Sequence, residues 1–224
     1  MDNYEKSRDR AQEYFLLFDQ EKMIDTWKLT HDEKALYLCF LGRDYTVCRR
    51  TGEVFRSEDG ERADYSESLS IFDLLCHAGE RKCPGDRFAP VNSLDGSPKT
   101  GGVATEFHQH IAQRFDRQPN TLKLACLELG GREVPMGDIG FQFPLFADLS
   151  VILKFYRSDE EFPASITLLW NQNLLDYVYY ETVFYIAGVL LNNINGAFTN
   201  NIDFAFANNA NCVYERLVES STER

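Results

Sequence analysis

Acidic side chains offer the clearest candidate chemistry in this sequence. Three consecutive carboxylates lie at Asp159, Glu160 and Glu161, and Asp138 and Asp148 lie upstream between apolar segments. If these oxygens converged, they could hold a hard divalent cation, and one carboxylate could act as a general base. The run lacks the spacing of an EF-hand loop, so the pattern favours a solvated hairpin connection over a cation site. Asp138, Asp159, Glu160 and Glu161 remain the candidate ligand-binding residues.

Thiol and imidazole groups are weaker candidates. Cys76, His77 and Cys83 are close in sequence, but their spacing is not that of a zinc knuckle, and Cys76 lies on the apolar face of a predicted helix. A nucleophilic pair at Cys76 would need a distant histidine, because neighbours on a helix point about 100° apart. His108 and His110 would share a metal only on a strand, whereas their surroundings predict a helix. We expect no bound transition metal and no cofactor.

The composition disfavours several classes of partner. The 224 residues carry 23 basic and 35 acidic side chains, which gives a net charge of −12 with histidine neutral. Such an acidic surface repels phosphates, so we expect no binding to nucleic acid or to anionic membranes. Motifs of the forms G-x-x-x-x-G-K-[S/T], G-x-G-x-x-G, G-x-S-x-G and H-E-x-x-H do not occur. Nucleotide cofactors and the common hydrolase and metalloprotease sites therefore have no support.

The compartment follows from the N-terminus, the apolar runs and the cysteines. The first ten residues are rich in charge and do not form a signal peptide. The longest apolar run, residues 183–191, is far shorter than the roughly 20 residues that span a bilayer. The 6 cysteines are scattered through a chain with ample core material, which favours free thiols. We expect a cytoplasmic protein.

Hydrophobic periodicity divides the chain into helices and strands. Apolar spacing of three and four residues predicts helices over 4–18, 69–78, 104–115, 120–129 and 183–194. Alternating or β-branched segments predict strands over 26–30, 35–41, 44–49, 53–55, 89–94, 139–146, 149–157 and 165–170. This order indicates an α+β fold, with helices packed on an antiparallel sheet in a single domain over 1–195. Residues 196–224 form an Asn- and Phe-rich extension for which no structure is predicted.

Two local expectations concern side-chain placement. Strands 35–41 and 44–49 should form a hairpin that turns at 42–44 and brings Cys39 near Cys48, with both thiols free. In the acidic segment, Pro163 keeps Phe162 out of helical geometry, and we expect the Phe162 ring to be buried as an apolar anchor.

Several short segments together carry a resemblance to a known family. They are Leu129-Gly130-Gly131, Gly137-Asp138, Pro144-Leu145 and the Asp-Glu-Glu-Phe-Pro-Ala-Ser segment at 159–165, with a helix ending in Leu74-Leu75-Cys76-His77 and a strand at 85–94 upstream. The arrangement resembles a domain-of-unknown-function family found mainly in anaerobic bacteria and archaea, over about residues 5–195. Some relatives carry an iron–sulfur domain, but this chain lacks the clustered cysteines that such a domain requires, so no redox chemistry follows.

The sequence leaves three functions open. The favoured one is a non-catalytic small-ligand-binding or accessory protein of anaerobe metabolism, since catalytic motifs are missing and aromatic residues are abundant. The second is a metal-assisted enzyme that uses the acidic residues named above. The third is a structural subunit that forms a homo-oligomer through its Asn- and Phe-rich tail. The partner is therefore an unknown small molecule or another protein chain.

Overall fold

The computed structural model describes residues 3–77, 84–98 and 106–199 of the chain. Its six helices within these ranges are α1 Asn3–Phe15, α2 Gln20–Trp27, α3 Tyr65–His77, α4 Glu106–Asp116, α5 Pro119–Glu128 and α6 over 180–199. Two short 3-10 turns lie at Val91–Ser93 and at Leu174–Asp176. Within the described ranges, no helix is both long and apolar enough to cross a bilayer.

The strands form two antiparallel sheets. The first has the order β1-β2-β3-β4, with β1 Thr30–His31, β2 Ala35–Phe40, β3 Arg43–Cys48 and β4 Val54–Arg56. The second has the order β5-β9-β8-β7-β6, with β5 Phe88–Ala89, β6 Arg132–Glu133, β7 Ile139–Phe146, β8 Leu149–Tyr156 and β9 Ser165–Asn171. The predicted α+β class is confirmed, and its strands are divided between these two sheets.

The β2–β3 hairpin turns one residue earlier than expected. Its two central residues, Leu41 and Gly42, have φ values of 50° and 76°, as a type I′ turn requires. This turn pairs Cys39 with Asp44 and places Cys48 opposite Ala35 at the far end of the hairpin. The prediction that Cys39 lies near Cys48 is therefore wrong, because the turn sets the register of every later pair. Both thiols are free.

The hairpin tip joins the two sheets. The backbone N–H of Leu41 donates to the carbonyl oxygen of Leu145 in β7 at 2.9 Å. A Cβ atom at Gly42 would lie 2.9 Å from the carbonyl oxygen of Leu129, which follows α5. Both the positive φ and this close approach therefore require glycine at the tip.

Two short elements differ from their predictions. Helix α2 covers 26 and 27, the first two residues of the strand predicted over 26–30, and β1 begins only at Thr30. The start of α2 is capped by Asp19, whose carboxylate accepts from the backbone N–H of Lys22 at 3.1 Å, and its end is marked by Lys28 in the left-handed conformation. The strand predicted over 89–94 is also wrong beyond Ala89, because Pro90 leads directly into a 3-10 turn.

One hydrophobic core joins both sheets to the helices. The indole of Trp27 in α2 meets the ring of Phe146 in β7 at a centroid distance of 4.8 Å. The ring of Phe115 in α4 packs against Phe155 in β8 at 6.5 Å and against Phe198 in α6 at 4.9 Å. Phe198 is fully buried. Residues 196–199 thus continue α6 into the core, and the separate character of the extension stays a prediction for residues 200–224, which lie outside the described part.

Candidate functional site

A cavity of about 210 Å³ lies where α1, α3 and the beginning of α6 meet. Its apolar and aromatic wall comes mainly from α1 and α3, and its polar groups come from the end of α3 and the start of α6. The lining residues are Ala11, Tyr14, Phe18, Leu69, Phe72, Asp73, Cys76, His77, Tyr179, Thr182 and Tyr185. A concave apolar space with a few convergent polar groups is typical of a small-molecule site.

Helix α3 contributes most to this wall. One of its faces packs in the main core and the other lines the cavity. Ile71, Leu74 and Leu75 are buried in the main core. Leu69, Phe72, Asp73 and Cys76 lie at spacings of three and four residues, so they share the other face of the helix and line the cavity. An acidic residue at an otherwise apolar position of this face is the sequence signal that could have pointed to the cavity.

A buried capping arrangement fixes the first turn of α3. The backbone N–H of Glu67 donates to the Asp64 carboxylate, and the backbone N–H of Asp64 donates to the Glu67 carboxylate, each at 2.8 Å. This is a reciprocal capping box. The other carboxylate oxygen of Glu67 accepts from the hydroxyl of Tyr45 in β3 at 2.8 Å, and Arg56 lies 3.7 Å from Glu67. The first sheet therefore anchors the helix that carries the cavity wall.

Asp73 connects α3 to the start of α6. Its Oδ2 accepts from the backbone N–H of Tyr179 at 2.8 Å, and its carboxylate also interacts with the Thr182 side chain. Burial raises the pKa of Asp73, although the hydrogen bonds from Thr182 and Tyr179 and the charge of His77 act in the opposite direction. The carboxylate thus lies in apolar surroundings. Its hydrogen bonds and the charge of His77 only partly compensate the cost of burying its own charge.

The Cys76 thiol and the His77 ring are packed parts of the cavity wall and not a reactive pair. Burial, and then the charge of Asp73, raise the pKa of the Cys76 thiol to about 12. Such a thiol is protonated at neutral pH and is a poor nucleophile. The His77 ring packs edge-on against the Tyr179 ring at a centroid distance of 4.1 Å and an interplanar angle of 67°. These features favour binding over cysteine-dependent catalysis at this cavity.

The reactivity of the described thiols should follow their environments. Hydrogen bonds, first from the Thr51 side chain, lower the pKa of Cys48, whereas burial raises the pKa of Cys39 and raises that of Cys126 to about 12. We expect iodoacetamide at neutral pH to alkylate Cys48 well before Cys76 or Cys126, and faster than the more exposed Cys39. Time-resolved peptide mass spectrometry measures the order. Labelling of Cys76 as fast as that of Cys48 would contradict a protonated thiol in the cavity.

The acidic residues singled out in the sequence lie away from this cavity. The Oδ2 of Asp138 accepts from the backbone N–H of Arg157 at 2.8 Å. The Oδ1 of Asp159 accepts from the backbone N–H groups of Glu161 and Phe162 at 2.9 and 2.7 Å, and these bonds lower the pKa of Asp159. Asp159 thereby closes a local turn, whereas Asp138 links the residue before β7 to the residue after β8. Glu160 and Glu161 are exposed. A ligand-binding role for these four residues stays a prediction.

The other carboxylate, histidine and cysteine residues considered as metal ligands do not come together in the described part of the structure. Asp138 and Asp148 lie at opposite ends of the β7–β8 hairpin, so they do not converge. His108 is half-buried in α4 and His110 is exposed on the same helix, while Cys83 lies outside the described residues. Among the residues that the structure describes, no group of three or more His, Cys, Asp or Glu side chains could hold a metal ion. The absence of a bound transition metal stays a prediction.

Phe162 is exposed, although we expected it to be a buried anchor. Its side chain is 65% exposed, so the prediction that this ring is buried is wrong. The reason is local: the Asp159 side chain and the bond from the Asp159 N–H to the Phe162 carbonyl oxygen close a tight turn that projects from the sheet. Ala164, the residue before β9, is buried and anchors the connection instead.

Substitutions in this turn should have small effects. We expect Phe162→Ala, and the pair Glu160→Gln with Glu161→Gln, each to change the free energy of unfolding by less than roughly 0.5 kcal/mol, because the side chains are exposed. Thermal melts of each variant check this. If millimolar magnesium raised the melting temperature of the wild type but not that of the double Gln variant, the acidic residues would form a cation site and the turn would not be merely structural.

The comparisons with known proteins place the chain in a family. No curated protein and no solved structure matches it. A family model described as a domain of unknown function, DUF3786, matches residues 19–193. This match spans α2 to most of α6 and so includes the α3 and α6 parts of the cavity wall. The chain therefore belongs to the DUF3786 family of domains of unknown function.

Proposed function

We propose that this protein binds a small molecule in the cavity between α1, α3 and α6, and that it does so without catalysing a reaction. The observation that carries the proposal is the cavity itself, an aromatic-lined space of about 210 Å³ with the partly compensated carboxylate of Asp73 on its wall. Ligand sites are typically lined in this way, with a few polar groups that fix the orientation of the ligand.

The volume limits the size of the ligand. An engineered apolar cavity of about 150 Å³ accommodates benzene, whereas drug-sized ligands occupy roughly 300 Å³ or more. A cavity of about 210 Å³ therefore fits one six-membered ring with a short substituent. The expected ligand is a monocyclic compound rather than a nucleotide or a large cofactor.

Other properties of the chain support a small-molecule partner in a reducing compartment. The net charge of −12 disfavours nucleic acid and anionic membranes as partners. The described cysteines 39, 48, 76 and 126 are free thiols, which agrees with our expectation of a cytoplasmic protein. An accessory role in anaerobe metabolism rests on the family resemblance alone and stays a prediction.

Binding of a neutral probe tests the proposal. We expect 2-phenylethanol to bind the wild-type chain saturably in isothermal titration calorimetry, because its ring and short hydroxyl arm match the cavity in size. Ala11→Phe should abolish this binding, since Ala11 lines the cavity and the added ring would fill it. Leu124→Phe is the matched control, because Leu124 is exposed on α5 and is not part of the wall. Unchanged binding by Ala11→Phe would contradict the proposal.

A further inference from the structure

We infer that the cavity selects a protonated amine carried on a small aromatic ring, with the carboxylate of Asp73 as its counterion. This inference rests on the proposed function, because it names the chemical class of the ligand for the same cavity. It follows from three features of the wall: the unused acceptor capacity of Asp73, the sign of the charges around it and the aromatic rings that face the same space.

Asp73 has acceptor capacity left for a ligand. An ionised carboxylate offers about four acceptor positions. The contacts that the structure gives to the Asp73 carboxylate come from the Tyr179 N–H and from the Thr182 side chain, both at the start of α6. Asp73 also lines the cavity, so a ligand can approach the remaining positions. Burial raises the pKa of this carboxyl, and a bound ammonium group would supply the compensation that its surroundings lack.

The charges near Asp73 favour a cation over an anion. Among the described residues that line the cavity there is no lysine or arginine, and His77, four residues along α3, is the single basic side chain. Glu181 on α6 adds a second negative charge close enough to act on Asp73. A bound carboxylate or phosphate would therefore meet repulsion from both acids, whereas an ammonium group would form a charge-assisted hydrogen bond to Asp73.

The aromatic rings suit both parts of such a ligand. Tyr185 packs edge-on against Tyr65 at 5.5 Å and 88°, and Tyr14 packs edge-on against Phe18 at 4.8 Å and 73°. Edge-to-face contacts of this kind hold the rings in defined orientations before a ligand arrives. Their faces attract both an aromatic ring and a neighbouring cation. The wall thus combines an apolar space for the ring with a negative group for the amine.

Three probes of nearly equal size separate the contributions of shape and charge. We propose titration calorimetry of the full chain at pH 7 with 2-phenylethylamine, 2-phenylethanol and phenylacetate, which present a cation, a neutral hydroxyl and an anion. The amine should bind roughly tenfold tighter than the alcohol, which corresponds to one charge-assisted hydrogen bond. Phenylacetate should show no binding.

Two variants assign the preference to Asp73. In Asp73→Asn the protein should lose its preference for the amine over the alcohol, because the amide keeps the shape and an acceptor for the Tyr179 N–H but carries no charge. Glu181→Gln removes an outer negative charge from an exposed residue that does not line the cavity, so this variant should keep most of the preference for the amine. Thermal melts confirm that both variants are folded, and the comparison of the three probes needs only the wild type.

The outcomes distinguish this inference from the proposed function. Equal affinities of the wild type for amine and alcohol would overturn the inference and leave the cavity as a ligand site. The inference would also be overturned if phenylacetate bound more tightly than the amine. The same holds if Asp73→Asn kept the full preference for the amine, or if Glu181→Gln lost that preference. Absence of binding by all three probes would contradict the proposed function as well.

Discussion

Replacing Glu67 with alanine should lower the free energy of unfolding by about 3 kcal/mol, because the change removes a helix cap and a buried acceptor together. Glu67 is only 2% exposed. Its loss leaves the Tyr45 hydroxyl and the Asp64 N–H without their carboxylate partner and removes the charge opposite Arg56. Equilibrium unfolding in urea measures the effect.

Glu67→Gln separates the charge from the hydrogen bonds. The amide retains one oxygen as an acceptor, so this variant should lose less stability than Glu67→Ala. The two variants also test whether the cap of α3 supports the cavity wall. Helix α3 carries five of the lining residues: Leu69, Phe72, Asp73, Cys76 and His77. Equal stability of Glu67→Ala and wild type would show that this capping arrangement does not anchor α3.

Phe72→Ala should lower the free energy of unfolding by about 3 to 5 kcal/mol, which is usual for truncating a packed aromatic residue. Phe72 is 5% exposed, lines the cavity and packs against the ring of Phe15 at a centroid distance of 5.4 Å. Its removal deletes this ring contact between α1 and α3 and enlarges the cavity. Urea unfolding of this variant beside wild type measures the loss.

Phe162→Ala is the matched control for this prediction. It deletes the same ring from a position that is 65% exposed, so the two variants differ in burial and not in chemistry. A loss below about 1 kcal/mol for Phe72→Ala, or comparable losses for both variants, would contradict the packing described for α1 and α3.

Local periodicity was sufficient to predict most of the elements. The alternation in β7, β8 and β9 and the apolar spacing in α3 and α5 are strong enough to identify the element type, because each segment buries one face or stripe. The failures have equally local causes. The register of β2 and β3 depends on a two-residue turn. Phe162 is the last residue of the turn that Asp159 closes, and this turn keeps the ring from being buried.

The cavity could not be predicted because it depends on tertiary packing. Its walls come from Ala11, Asp73 and Thr182, which are far apart in sequence and lie on three different helices. The pattern of α3 predicted Cys76 on an apolar face, which is correct, but the same pattern does not distinguish a face that meets the core from a face that lines an open space. Only the approach of α1 and α6 creates that difference.

The contacts of bound 2-phenylethanol show whether the cavity between α1, α3 and α6 is the binding site. In protein with ¹³C-labelled methyl groups, we expect intermolecular NOEs from the ring protons to the methyl groups of Ala11, Leu69 and Thr182, which lie on the three helices that enclose the cavity. NOEs confined to exposed methyl groups, such as those of Leu124 and Leu127 on α5, would show that the probe binds elsewhere and would contradict a ligand site in this cavity.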